Sequence, residues 1–209
     1  MKIDTEIKEL NEELLKMADK VYLNMTKALD YYFKENECNI DDDEIDQYER
    51  IIESKCVKIL LHERPYASDL KAVTGILKLV EDLERIGDHA EDIQTFSRKL
   101  NKRKGAFNNQ VLKLANDVIG MLSDAIKSYR TNNIDLASKV IKHDDVIDDS
   151  YGKIIEELAS VSVVEGDISL QIYTAIVVKY LERVADHSVN ICEWIIYIAN
   201  GYHKDASII

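Results

Sequence analysis

Leu83-Glu84-Arg85-Ile86-Gly87-Asp88-His89 returns as Leu181-Glu182-Arg183-Val184-Ala185-Asp186-His187, 98 residues later in a chain of 209. A repeat of about half the chain marks a tandem architecture. Core demands usually preserve apolar spacing, yet the letters that match best here are Glu, Arg, Asp and His. Each half therefore carries the same polar face as well as the same fold. A second echo agrees: Asp42-x-x-x-Asp46 corresponds to Asp144-x-x-x-Asp148, with Ile45 matching Ile147 at an offset of 102.

The heptamers sit in long helical patterns. Around the first, Leu70, Val73, Ile76, Leu79, Leu83, Ile86, Ala90 and Ile93 recur at three- and four-residue intervals, predicting a helix from Ser68 or Asp69, either of which can cap it, to about Lys99. Upstream, Ile7, Leu10, Leu14, Met17, Val21, Met25 and Leu29 predict a helix over Asp4–Asn36. The acids of Asp41–Glu44 suit the start of a second helix, which carries Ile45, Ile52, Val57, Ile59 and Leu60 and ends near His62 before Pro65, the only proline.

The basic, polar stretch from Asn101 to Asn109, with Gly105, is the best junction. Beyond it the plan repeats. A fourth helix holds Val111 to Tyr129. A fifth follows Asn132-Asn133, with Asp135 as its expected cap, and runs to about Val161. After Glu165-Gly166-Asp167 a sixth runs from Ile168 to about Asn200, stopped by Gly201. The expectation is all-α: two tandem antiparallel three-helix bundles, residues 1–103 and 104–209.

Composition narrows the function. The net charge is −12, which argues against nucleic acid and anionic membrane surfaces as partners, since both are bound through clustered Lys and Arg. Metal cations or basic protein surfaces suit it better. Cys38, Cys56 and Cys192 are scattered and odd in number, as expected of a reducing compartment. With neither a signal peptide at the N-terminus nor an apolar run of about 18 residues, the expected location is cytoplasmic. No Glu precedes a His by three residues, as a di-iron bundle would want. H-E-x-x-H, phosphate-loop and nucleophile-elbow motifs are missing too. The chain reads as a non-enzyme.

On a helical wheel Glu81, Arg85, Asp88 and Asp92 share one sector, flanked by Glu84 and His89. The sixth helix offers Lys179, Arg183, Asp186, Asn190 and Glu193. Carboxylates one turn apart can bridge hard or borderline cations, and the Arg can hold them in place or bind an anion. Asp42 and Asp46, and Asp144 and Asp148, lie on neighbouring helices where they can complete the shell. The competing explanation is an ordinary salt-bridged surface, which fits a single copy well and two matched copies less well. His89 and His187, at the sector's edge, read as hydrogen-bonding boundary residues.

The stretches Asp82–Ile93 and Tyr180–Trp194, with the Leu14-Leu15-Lys16-Met17 opener, Asp42…Ile45-Asp46 and the Arg64–Leu70 turn, resemble the signatures of the PhoU family across nearly the whole chain. The resemblance implies a tandem three-helix regulator, often a homodimer, that restrains phosphate uptake and phosphate-starvation signalling. Its implied partners are the ATPase of the phosphate ABC transporter and a sensor histidine kinase, and it meets the membrane only through them. Some members hold multinuclear iron or other metals (zinc, manganese and magnesium are the alternatives) on an acidic-x-x-x-Arg-x-x-Asp motif. Carried over, this gives Glu81, Arg85 and Asp88 in the first copy. The second copy gives Arg183 and Asp186, with Lys179 where the acid belongs and Glu182 as its substitute. The full candidate set adds Asp92, Asn190, Asp42, Asp46, Asp144 and Asp148. The alternative is a metal store or metal-dependent enzyme using the same carboxylate faces.

Overall fold

The computed structural model describes residues 2–34, 39–40, 42–100, 108–160, 167–203 and 206–207. Among the described residues six helices run in order: α1 (Lys2–Lys34), α2 (Asp42–His62), α3 (Ser68–Leu100), α4 (Asn108–Thr131), α5 (Ile134–Ser160) and α6 (Ile168–Asn200). A two-residue antiparallel ladder pairs Tyr202 with Ser207 and His203 with Ala206 after α6. The expected breaks around Asn36–Cys38, the junction before Phe107 and most of the turn before Asp167 lie outside the described residues.

Local chemistry accounts for the helix ends. At α6, Asp167 Oδ1 accepts from the backbone N–H groups of Ser169 at 3.0 Å and Leu170 at 3.3 Å. Gly201 closes it with φ +81°, its N–H donating to Tyr197 O at 2.7 Å, a conformation that glycine adopts without a Cβ penalty. At α5 the cap is Asn133, whose Oδ1 accepts from Leu136 N at 3.0 Å. Asp135, expected in that role, sits in the first turn instead, where its charge faces the helix N-terminus. The Pro65 turn places Arg64 and Ala67 at φ 47° and 44°, and Lys71 N donates to Ala67 O to start α3.

Most of the expected core stripe of α3 is buried: Val73, Ile76, Leu79, Leu83, Ile86, Ala90 and Ile93 are at most 3% exposed, whereas Leu70, in the first turn, is only half-buried. On α2 the buried set is Ile45, Ile52, Cys56 and Ile59, whereas Val57, expected inside, is 49% exposed. α2 is held by a single narrow stripe, and its far side is free.

The two bundles share one core. α3 and α6 pack antiparallel, so partners run in opposite order along them: Thr74 with Tyr197, Asp82 with His187, and Phe96 with Tyr173. Other ties cross between the repeats. Tyr129 of α4 donates its O–H to Asn11 Oδ1 of α1, Arg130 Nη2 donates to Asp19 at 2.5 Å, and Tyr32 of α1 bonds Thr174 of α6. Among the described residues no helix is long and apolar enough to cross a membrane.

Candidate functional site

The repeated heptamer has two faces with different neighbours. One looks from α3 toward α2, the other from α3 toward α6.

On the α2 side, Asp42, Asp46 and Glu49 follow one another at i, i+4 and i+7, so they form a stripe along α2. They meet Glu84 and Asp88 of α3. Asp46, Glu49 and Glu84 each bring a carboxylate oxygen within 4.8 Å of the others. Asp42 Oδ1 is buried and has no hydrogen-bond partner among the described residues. Gly87 gives it room: a Cβ would lie 3.2 Å from this oxygen and 2.9 Å from Ile45 Cδ1.

The electrostatics of this face are unfavourable without a cation. Burial, then the charges of Asp88 and Asp46, push the Asp42 carboxyl up to about 6. Burial and Asp88 push Glu84 up to about 7, against the pull of Arg85. Glu49 and Asp88 are raised as well, chiefly by burial. Guanidiniums offset this only in part: Arg85 Nη1 donates to Asp88 Oδ2 at 3.4 Å, Arg85 Nε is 3.5 Å from Glu84, and Arg50 Nη1 is 3.8 Å from Asp46. Half-buried acids that are raised by one another are the arrangement a bound cation relieves. The donors are all oxygen, which suits manganese, magnesium or iron better than a thiolate-seeking metal. The unpartnered buried oxygen of Asp42 and the converging carboxylates therefore fit a metal here.

Not every expected ligand joins this face. Glu81 is exposed and pairs with Lys78 at 2.9 Å. Asp92 turns the other way, toward Tyr180 of α6. Glu49, which the sequence reading did not single out, and Glu84, placed there on the flank, are the acids that complete the cluster. The stripe Asp42-Asp46-Glu49 was readable on a wheel of α2.

The second face, between α5 and α6, keeps Asp144, Asp148, Glu182, Arg183 and Asp186. Asp144 Oδ1 is again buried without a partner among the described residues, and burial followed by Asp148 pushes its carboxyl up to about 6. Asp186 is raised by burial, then Glu182. Glu182 itself is taken by Lys179, whose Nζ lies 2.6 Å from both oxygens.

On the other side of the heptamer, α3 and α6 enclose a polar seam. Asp82 is 8% exposed. Its Oδ1 accepts from His187 Nδ1 at 2.9 Å and from Asn190 Nδ2 at 3.1 Å. Asn190, expected among the metal ligands, belongs to this seam instead. Tyr180, at the position equivalent to Asp82, meets His89 with ring centroids 5.2 Å apart and bonds Asp92. The two imidazoles stand 5.6 Å apart, centroid to centroid. Burial, then His187, drives His89 down to about 4, so it is neutral at physiological pH. Both histidines are interior hydrogen-bonding or packing groups, and the carboxylate cluster contains neither.

Comparison with known proteins places the fold in a family. A PhoU domain matches twice, over residues 14–96 and 111–195. The chain is 31% identical over 210 residues to the phosphate-specific transport system accessory protein PhoU homolog of Clostridium acetobutylicum, covering 97% of this chain and 96% of that one. It is 37% identical over 166 residues to PhoU homolog 1 of Thermotoga maritima, covering 77% and 70%. The crystal structure of PhoU from Pseudomonas aeruginosa superposes with a TM-score of 0.89 at 29% identity, over 95% of this chain and 99% of that one. The phosphate transport system regulatory protein PhoU of Streptococcus pneumoniae gives 0.86 at 26%, over 98% and 100%. With two matching domains, a relative similar along its whole length and the same six-helix architecture, the chain belongs to the PhoU family.

Proposed function

We propose that this protein is a cytoplasmic negative regulator of phosphate uptake and phosphate-starvation signalling. It acts by docking, as a homodimer, on the ATPase of a phosphate ABC transporter and on a sensor histidine kinase. Metal on its acidic helix faces shapes the docking surface. Its relatives are named accessory proteins of the phosphate-specific transport system. The observation that carries the reading is the α2/α3 face, where Asp42, Asp46, Glu49, Glu84 and Asp88 gather on the side of the bundle. Exposed Leu61 and Tyr66 at the neighbouring turn, and Ile168 and Ile172 one turn apart on α6, supply apolar contact for a partner.

The test is co-purification of the purified protein with the transporter ATPase and with the kinase's cytoplasmic part, alongside phosphate uptake in a strain lacking the gene. Wild type should bind at least one partner, and the Arg85→Ala, Arg183→Ala double variant should bind less while melting normally. A protein that captures neither, and whose loss leaves uptake unchanged, would end this reading.

The convergent carboxylates also favour a second reading, a metal store or metal-dependent enzyme on the same face. That reading requires large metal loading or turnover of phosphate esters, either one lost in Asp88→Asn.

A further inference from the structure

We propose that Lys179 is a standing counter-ion that occupies the second acidic face, so that metal is confined to the first repeat. This rests on the metal reading of the α2/α3 face and concerns how the two repeats divide that role.

Laying the repeats on one another shows what the second has lost. In the register of Asp42 and Asp144, Glu49 corresponds to Tyr151. In the register of the heptamers, Glu81 corresponds to Lys179, Gly87 to Ala185 and Glu91 to Val189. Among these pairs, two acids have become uncharged and a third has become a cation. Both uncharged replacements are at the cluster: Glu49 supplies one of the three converging oxygens, and Glu91 is one of the charges that raise Asp42.

The geometry shows what fills the gap. Lys179 Nζ donates to both oxygens of Glu182 at 2.6 Å, where Glu84 of the first repeat has, among the described residues, the Arg85 guanidinium at 3.5 Å. The same ammonium stands 5.1 Å from the centroid of the Tyr151 ring, within cation–π range. Tyr151 thus cradles the lysine at the position where Glu49 would have offered a ligand. Glu182 is 13% exposed and Lys179 42% exposed, so the pair is partly shielded from water. A metal entering here would have to displace an ammonium already chelated by its best carboxylate, and would find fewer oxygens waiting.

The experiment is Mn²⁺ uptake by chelator-stripped full-length protein, read by elemental analysis after gel filtration, with circular dichroism to check folding. Wild type should load metal. Glu49→Gln with Glu84→Gln should lose essentially all of it. Lys179→Glu should load more than wild type, and should keep that extra metal when combined with the Glu49 and Glu84 changes. Metal persisting in the Glu49, Glu84 double variant would overturn the confinement. A separate arm uses no metal: Lys179→Met, stripped, should melt about 2–4 °C below wild type, whereas Lys78→Met, at the exposed pair with Glu81, should not. If Lys179→Met melts like wild type, Lys179 is no counter-ion. A wild type that takes up no metal would sink the metal reading itself, and the stripped melt would still decide the role of Lys179.

Discussion

Asp82 and His187, 105 residues apart in the chain, meet at 2.9 Å in the seam between α3 and α6. They come from different repeats, so this bond locks one bundle to the other. The same carboxylate oxygen also accepts from Asn190. At the equivalent corner Tyr180 bonds Asp92 across the same seam, while His89 Nδ1 finds no hydrogen-bond partner among the described residues and stands 3.9 Å from Asp92. Each corner thus ties α3 to α6 through one carboxylate, Asp82 at one and Asp92 at the other.

Asp82→Ala should strand His187 and Asn190 in a buried setting. Leaving buried polar groups unsatisfied costs about 1–3 kcal/mol, or a Tm lower by about 3–10 °C at this chain length. Glu81→Ala, one residue away but exposed and paired only with Lys78, should shift Tm by less than about 2 °C. Thermal melts followed by circular dichroism check both, and equal effects would show that the seam does not depend on Asp82.

The acidic face predicts an unusual pH dependence for metal-free protein. Folding raises Glu84 from 4.5 to about 7, and Asp42 and Asp144 from 3.8 to about 6. The folded state thus binds more protons than the unfolded chain between about pH 4 and 7, and these groups make stability fall as pH rises through that window. His89 acts in the opposite sense: it is held to about 4 from 6.5, so its contribution falls as pH drops below about 6.5. Glu84→Gln should accordingly raise the Tm of chelated protein at pH 8 and leave it nearly unchanged at pH 4. Adding Mn²⁺ at pH 8 should raise the Tm of wild type more than that of the variant. A Glu84→Gln protein no more stable than wild type at pH 8 would mean that the cluster is not strained.

Much of this was legible in the sequence, and the part that was not has a physical reason. The repeated heptamer, the stripe from Val73 to Ile93 and the stop at Gly201 are local signals, and they delivered six helices in two sets. The ligand face came out rotated by about 50° on the α3 wheel. Periodicity identifies the sector of Glu81, Arg85, Asp88 and Asp92; of its acids Asp88 joins the cluster, which forms where α2 approaches and draws in Glu84 from the flank. Which flank of α3 receives α2 depends on the course of the turn at Pro65, which a wheel does not represent. Asp82 was hidden for a similar reason. An Asp bordering a buried stripe reads as boundary until its partner is known, and that partner lies in the other repeat.

Tyr129 gives a sharper test of how the repeats are joined away from the seam. Its phenol is pushed well above the usual range by burial, and it donates to Asn11 Oδ1 across α4 and α1. Tyr129→Phe keeps the ring and removes the donor, leaving the Asn11 carbonyl unmet. The expected loss is about 1 kcal/mol, a Tm lower by about 2–4 °C. Tyr129→Ala should cost about 3–5 kcal/mol, because the aromatic filling goes too. Urea unfolding at matched slopes separates the two, and a Phe variant as stable as wild type would assign the whole role of Tyr129 to packing.

Gly75 is a place where α3 and α6 come close. A Cβ built there would lie 2.3 Å from Ile198 Cγ1 and 2.7 Å from Ile198 Cδ1, far inside contact distance. In an exposed helix interior, Gly→Ala would stabilise by removing backbone freedom from the unfolded chain, by about 0.5–1 kcal/mol. Here that gain competes with a clash in a buried interface, and overpacking of this kind costs about 1–3 kcal/mol. Because Ile198 is branched at Cβ, its χ1 has little freedom to turn aside, so the clash should win and Gly75→Ala should lower Tm. Ile198→Ala removes the obstructing atoms. In that background Gly75→Ala should become neutral or stabilising, a change of sign that a double-mutant cycle reads directly. If Gly75→Ala destabilises equally in both backgrounds, the clash is not with Ile198, and the close approach of the two helices is held by something other than the glycine.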